Sequence, residues 1–157
     1  MKFTASTSTT VKVVTAAIFI LTIGLALVAI KDEVGEAALI PASILAIVIA
    51  VSYYFSIRHY EIGDGKLIVR RPFDAVQIPL GNISDVQTVD RKRLRWTVRT
   101  FGIGGLFSYT GEFWNKKLGS MSWYVTRMDK AVMIVRGHRK IVISPDDPEK
   151  FLEVLKN

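Results

Sequence analysis

No cysteine occurs among the 157 residues, and only two histidines do. The first absence excludes disulfides, thiolate metal sites, a catalytic thiol and a lipidated N-terminal cysteine. The second leaves little for metal or acid–base chemistry, because neither His59 nor His138 has a His, Asp or Glu at metal-ligand helical spacing. Charge is also missing from two long stretches. Val13–Ile30 and Ala37–Ile57 run for 18 and 21 residues without a charged side chain. At about 1.5 Å of rise per residue, helices of that length match the ~30 Å hydrocarbon core of a bilayer.

A cleaved signal peptide would account for the first run only, and a second run follows at once. A buried helix of a soluble core normally keeps a polar stripe, and neither run has one. Two transmembrane helices are therefore expected, joined by the short acidic link Lys31–Glu36. Small residues (Ala16, Ala17 and Gly24; Ala42, Ser43, Ala46 and Ala50) allow the two helices to pack closely. Tyr53, Tyr54 and Phe55 close the second run, where aromatic rings favour the lipid–water interface. Lys2, Lys12, Arg58, Arg70 and Arg71 lie on the terminal side, against one Lys and three acids in the link. Positive charge stays in the cytoplasm, so both termini are expected there. The expected localisation is the cytoplasmic membrane.

The charge is unevenly divided. Residues 1–57 hold three cations and three acids; of the chain's 21 and 14, that leaves 18 and 11, and so the whole +7, for residues 58–157. About 100 residues suffice for one small domain with its own core. Residues 1–12, with the Ser- and Thr-rich stretch Thr4–Thr10, read as a disordered lead-in, and no internal repeat is visible.

From Arg58 onward continuous apolarity gives way to alternation. Arg58–Ile62 and Lys66–Arg70 flank the turn signal Gly63-Asp64-Gly65 as a first hairpin. Ala75–Leu80, Ile83–Asp90, Leu94–Phe101 and Ser120–Arg127 read as further strands, with Gly102, Gly104 and Gly105 interrupting the pattern after the third of these. Ala131–Arg136 and Arg139–Ser144 flank Gly137-His138 as a last hairpin. A C-terminal helix follows, capped by Asp146 or Asp147, with Pro148 in its first turn and Phe151, Leu152 and Leu155 on its apolar face.

This order resembles the pleckstrin-homology-like (PH-like) barrel, and more narrowly the bacterial membrane-anchored PH-domain proteins. The resemblance is carried by Ile78-Pro79-Leu80 leading into Ile83 and Val86, by the Gly-rich Phe101–Phe107, and by the closing Ile143–Phe151. The resemblance covers about residues 58–157, and a helical hairpin ahead of it is common in the same group. The expected fold is thus a two-helix transmembrane hairpin (13–57) followed by an all-β PH-like barrel of about seven antiparallel strands, capped by a C-terminal α-helix (58–157). Lipid-binding eukaryotic PH domains grip inositol phosphates with Lys and Arg around the first hairpin loop. Here Gly63-Asp64-Gly65-Lys66 carries one acid and one base, which departs from that pattern. The resemblance implies a non-catalytic binding or scaffolding module. An accessory subunit of a membrane transport or envelope-stress assembly, recognised through the helical hairpin, is the alternative.

No catalytic constellation, cofactor or metal site is expected. Gly102-Ile103-Gly104-Gly105 lacks the last glycine and the βαβ context of a nucleotide loop. The Asn82-Ile83-Ser84 sequon is irrelevant in the cytoplasm. The basic residues are more suggestive. Arg91, Lys92, Arg93, Arg95 and Arg99 fall within nine residues; on a strand, Arg91, Arg93, Arg95 and Arg99 would share one outward face. Such a face suits water, anionic lipid headgroups or an acidic protein. Phe113 and Trp114, followed by Lys116 and Lys117, read either as core plus surface or as an interfacial wedge with rings at headgroup level and cations on phosphate. The candidate partners are thus the bilayer, anionic headgroups, an acidic protein and a second copy of the chain. Nucleic acid is disfavoured, since the basic stretch lacks an aromatic platform.

A reporter fused to either terminus should stay cytoplasmic, and one inserted near Glu33 should be exported; a C-terminus cleaved by protease outside intact cells would overturn this orientation.

Overall fold

The structure is a computed structural model and describes residues 1–31 and 35–156. The linker residues 32–34, whose acids carry the orientation argument, lie outside the described residues.

The two apolar runs are helices. α1 spans Thr9–Lys31 and α2 spans Gly35–Tyr54, and they pack on each other. Both are long and apolar enough to cross a membrane, and almost none of their length is buried inside the protein. α1 starts where the Ser8 hydroxyl accepts the Val11 N–H at 3.3 Å, an N-terminal cap. α2 ends three residues earlier than the apolar run suggested. Phe55 and Ser56 form a junction, and Ile57 is already buried in the core of the following domain.

That domain consists of two sheets. The first has the order β1-β2-β3-β4, from Lys2–Thr4, His59–Gly63, Lys66–Arg70 and Ala75–Pro79. The second has the order β5-β9-β10-β8-β7-β6: Ile83–Val89 (β5), Ala131–Arg136 (β9), Arg139–Ile143 (β10), Gly119–Val125 (β8), Ser108–Asn115 (β7) and Val98–Leu106 (β6). A four-residue helix α3 (Arg91–Leu94) precedes β6, and α4 (Pro148–Lys156) ends the chain. The expected hairpins are present: β2 and β3 pair from His59↔Arg70 to Gly63↔Lys66, β9 and β10 from Val132↔Ile143 to Arg136↔Arg139. The first closes on Asp64 and Gly65, both at positive φ (50° and 67°), the backbone of a tight two-residue turn.

Three expectations need correction. Among the described residues there are ten strands rather than about seven, and β8 pairs with β10 in parallel. Residues 1–12 are not a disordered lead: Lys2–Thr4 pair with β2 through Lys2↔Glu61 and Thr4↔His59, and Phe3 is buried. The glycines after Phe101 do not end a strand but lie inside β6. Gly102 and Gly111 face each other across β6 and β7, so close that a Cβ on Gly102 would lie 2.2 Å from the Thr110 carbonyl oxygen. Only glycine fits either position.

The main core lies between the sheets, built by Tyr60, Leu67, Val69, Ile134, Ile143 and Phe151 among others. Of the two expected capping candidates, Asp147 caps α4: its Oδ1 accepts the Lys150 N–H at 3.1 Å. Its Phe151 is fully buried and meets Phe3 edge to face at 4.9 Å. Asp146 does different work. Its carboxylate accepts the Ser6 N–H at 3.0 Å and its own N–H donates to the Thr4 carbonyl at 3.0 Å, tying the first residues to the last turn. Burial raises the Asp146 pKa, but the hydrogen bonds from Ser6 and Thr4 outweigh it and leave the carboxyl below its usual range. Tyr60 bridges the sheets: its hydroxyl donates to the Tyr124 carbonyl at 2.7 Å and accepts the Ser144 N–H at 3.1 Å, while burial pushes its pKa up to about 12.

Because Phe3 and Phe151 touch, the fragment 58–157 lacks part of its own core. Phe3→Ala and Phe151→Ala in the full chain should each cost about 3–5 kcal/mol, from the buried ring lost and the cavity left. The double variant should cost less than the sum, since residues in contact couple. Strict additivity in denaturant unfolding would show that the N-terminal strand is not part of this core.

Candidate functional site

The basic segment does not form a strand face. Asp90 caps α3 by accepting the Lys92 N–H at 3.0 Å, and Arg91–Leu94 make one helical turn. Leu94 plugs the core on the outer face of the six-stranded sheet, beside Phe113, Met121 and Trp123. Arg95 leaves the helix in extended conformation, Trp96 turns into the left-handed region (φ 68°), and β6 begins only at Val98. The sequence pattern placed Arg91, Arg93, Arg95 and Arg99 on one face of a strand. That reading fails because Arg91 and Arg93 lie in the helical turn and Arg95 at its C-terminal cap, leaving Arg99 alone of the four on a strand.

Asn115 holds this corner. It is buried, and its Nδ2 lies 3.3 Å from the Arg93 and Arg95 carbonyls and 2.9 Å from Thr97 Oγ1, donating toward all three. Its Oδ1 accepts the Lys117 N–H at 2.9 Å. One amide thus links the basic corner to the β7–β8 turn that carries the exposed Lys116 and Lys117. Sequence reasoning did not single out Asn115, since an Asn before two lysines reads as an ordinary turn residue.

What the corner encloses is an open cavity of about 930 Å³, within the range of small-molecule sites. Its apolar wall includes Leu94, Tyr109, Phe113, Trp123 and Met128; Arg91, Lys92, Arg95, Trp96 and Arg99 also line it. Phe113 stacks on Trp123 with ring centroids 4.4 Å apart. Arg99 reaches across Gly104, where an added Cβ would lie 3.5 Å from its Nη1 and 3.5 Å from the Tyr109 ring. The Arg95 guanidinium lies 5.4 Å from the Trp96 ring centroid. Arg93, Lys116 and Lys117 do not line the cavity. The Trp123 indole N–H is buried without a hydrogen-bond partner, a deficit of about 1–3 kcal/mol.

The Phe113–Trp114 pair divides as strand alternation requires. Phe113 is 4% exposed and belongs to the core, while Trp114 is 45% exposed on the other face of β7. Trp114 is the cross-strand neighbour of Val98, and Phe101 follows on β6; with Trp96, these are large apolar groups left open to solvent, Trp96 at 83% and Phe101 at 79%. The same edge strand leans on the helices. Gly102, Ile103, Gly104 and Leu106 form a cleft of about 430 Å³ with Ile18, Ile47, Val48 and Val51. At the corner between β6 and β7, the Phe107 N–H donates to Thr15 Oγ1 at 3.2 Å, and its ring sits edge-on to Phe19 and Tyr53.

Neither histidine sits in this site. His59 pairs with Glu61 at 2.9 Å, and Glu61 also accepts from Arg70, which with His59 lowers its pKa; His138 occupies the β9–β10 turn. Among the described residues, no group of three or more metal-ligating side chains converges.

Two sheets closed by an amphipathic helix, with one basic corner over an apolar wall, define a PH-like domain. The sequence pattern of the bacterial PH domain matches residues 58–157, and the chain belongs to that family. A search of curated proteins found no match, and a search of solved structures found none.

Asn115→Ala should release residues 93–97 while leaving the sheets folded. The expected result is faster tryptic cleavage after Arg93 and Arg95 with an unchanged β-sheet circular dichroism spectrum. Unchanged cleavage would show that the corner is held without Asn115.

Proposed function

We propose that this protein is a membrane-anchored, non-catalytic interaction module whose PH-like domain is held against the cytoplasmic face of the bilayer. The single observation that carries this reading is the double joint between domain and helices. The domain is joined to α1 through residues 5–8 and to α2 through the short junction Phe55–Arg58, and it also rests on both helices through β6 and Phe107. Ile18 is nine residues into α1 and Ile47 seven residues before the end of α2, or ~14 and ~11 Å along each axis. The β6 edge therefore reaches about two to three turns along the helices from their domain ends, and in this reading Trp96, Val98, Phe101 and Trp114 meet the headgroups. Aromatic rings favour that zone. Arg91, Arg95 and Arg99, with Lys116 and Lys117 on the adjoining turn, would then contact lipid phosphate, each contributing on the order of 1 kcal/mol near a negative leaflet. Family membership supports a binding role, and the basic surface suits an anionic one.

In full-length protein reconstituted into vesicles, Trp96 and Trp114, each kept as the single tryptophan, should be quenched by lipids brominated near the headgroup end of the acyl chain. Quenching should be stronger in anionic than in neutral vesicles and should weaken when Arg91, Arg95 and Arg99 are changed to Gln. Absence of quenching at both positions would remove bilayer docking and leave the basic corner to an acidic protein.

A further inference from the structure

The cavity enclosed by the basic corner has the chemistry of a site for one molecule, not only of a charged surface. Its wall is aromatic and apolar, from Leu94, Tyr109, Phe113, Trp123 and Met128. Four cations, Arg91, Lys92, Arg95 and Arg99, line it, with Asp90 as the opposing acid. The Asp90 carboxylate already accepts the Lys92 backbone N–H. Beneath this wall the Trp123 indole N–H is buried and has no hydrogen-bond partner among the described residues. Trp96 stands at the rim, exposed and in a backbone conformation that non-glycine residues avoid.

The neighbouring cleft adds the direction of entry. Arg99 and Gly104 line both the cavity and the cleft against Ile18, Ile47, Val48 and Val51. An apolar chain lying along the helices would thus reach Arg99 as it enters the cavity. Peptide acids would meet the cations but leave the aromatic wall unused, and a choline headgroup would bring its own cation against four others.

We infer that the cavity binds one anionic amphiphile, a phosphate- or carboxylate-bearing lipid taken from the adjoining bilayer. Arg91, Arg95 and Arg99 hold the anionic group, and the half-buried Tyr109 and Met128, with Trp96 at the rim, receive the first part of the chain. The inference rests on the docked orientation proposed above, which brings lipid to this side of the domain.

The test uses full-length protein in a non-ionic detergent, with Trp96→Phe and Trp114→Phe leaving Trp123 as the fluorescent reporter. Short-chain phosphatidic acid and phosphatidylglycerol should give a saturable change, with one lipid retained per chain in native mass spectrometry. Short-chain phosphatidylcholine and inorganic phosphate should each bind at least about tenfold more weakly, since each lacks one half of the recognition. Arg91→Gln, Arg95→Gln and Arg99→Gln together should lower affinity by about tenfold or more. Lys66→Gln, Arg139→Gln and Lys150→Gln together remove the same charge at exposed positions away from the cavity and should leave affinity unchanged. Equal binding of inorganic phosphate would overturn the amphiphile and leave a bare anion site. Equal weakening by the two triple variants would overturn the cavity and reduce the effect to diffuse charge. A non-saturable response to every lipid would overturn the inference outright. Bilayer docking is judged separately by the bromine quenching, so the failure of one reading is distinguishable from the failure of the other.

Discussion

Phe107 wedged against two apolar helices is the contact on which the remaining geometry depends. A domain joined to the helices only through residues 5–8 and Phe55–Arg58 could still tilt, because a few backbone dihedrals in each link can absorb rotation. Phe107, at the corner between β6 and β7, removes that freedom by adding a third connection, with its ring on Phe19 and Tyr53 and its N–H on Thr15. The junction is itself stiffened. Arg58 donates to the Tyr53 hydroxyl and lies over its ring, and Arg71 is over both Phe55 and Tyr124 while pairing with Asp74. The desolvated Arg71 contacts contribute about 2 kcal/mol, and the exposed Arg58 contact about 0.5–1 kcal/mol. The helices and the domain therefore share one orientation, and that orientation puts the exposed β6 edge on the side of the helices.

The chain's beginning serves the same end. Residues 2–4 add a strand to the edge of β2, residue 6 is tied to Asp146, and α1 starts at Thr9. The polypeptide thus leaves the domain into α1 and returns to it from α2, so both helices are anchored at the same end. An exposed strand edge invites pairing with other chains, and β1 covers the edge of β2. The Tyr60 hydroxyl, between the Tyr124 carbonyl and the Ser144 N–H, joins the two sheets near this seam.

Features that depend on local pattern were legible in the sequence. The apolar runs, the Asp64-Gly65 and Gly137-His138 turns and the Asp147-capped final helix all announce themselves within a few residues. Features that depend on distant partners were not. Three residues, Lys2–Thr4, are too short to show a period, and their strand exists because β2 offers an edge and Phe151 a contact for Phe3. The parallel pairing of β8 with β10 leaves no local mark. In β6 the glycines look like an interruption, yet Gly102 and Gly111 are there because two backbones pass within a side chain's width. At 91–99 the cation and apolar alternation has the period of a strand, but the cap at Asp90 and the buried Leu94 draw the first half into a helical turn.

That last difference changes the chemistry available to the arginines. A flat row of cations on a strand offers only a screened field, reaching about 8 Å at physiological salt, and treats every anion alike. Curled around a corner and held there by Asn115, the same residues border an aromatic wall and a cavity of about 930 Å³. Charge then acts together with shape, and Arg93, which the alternation grouped with the others, falls outside the group. The step from composition to candidate site lies in the backbone turn at Trp96, where an exposed indole in the left-handed region marks the end of the basic corner and the start of β6.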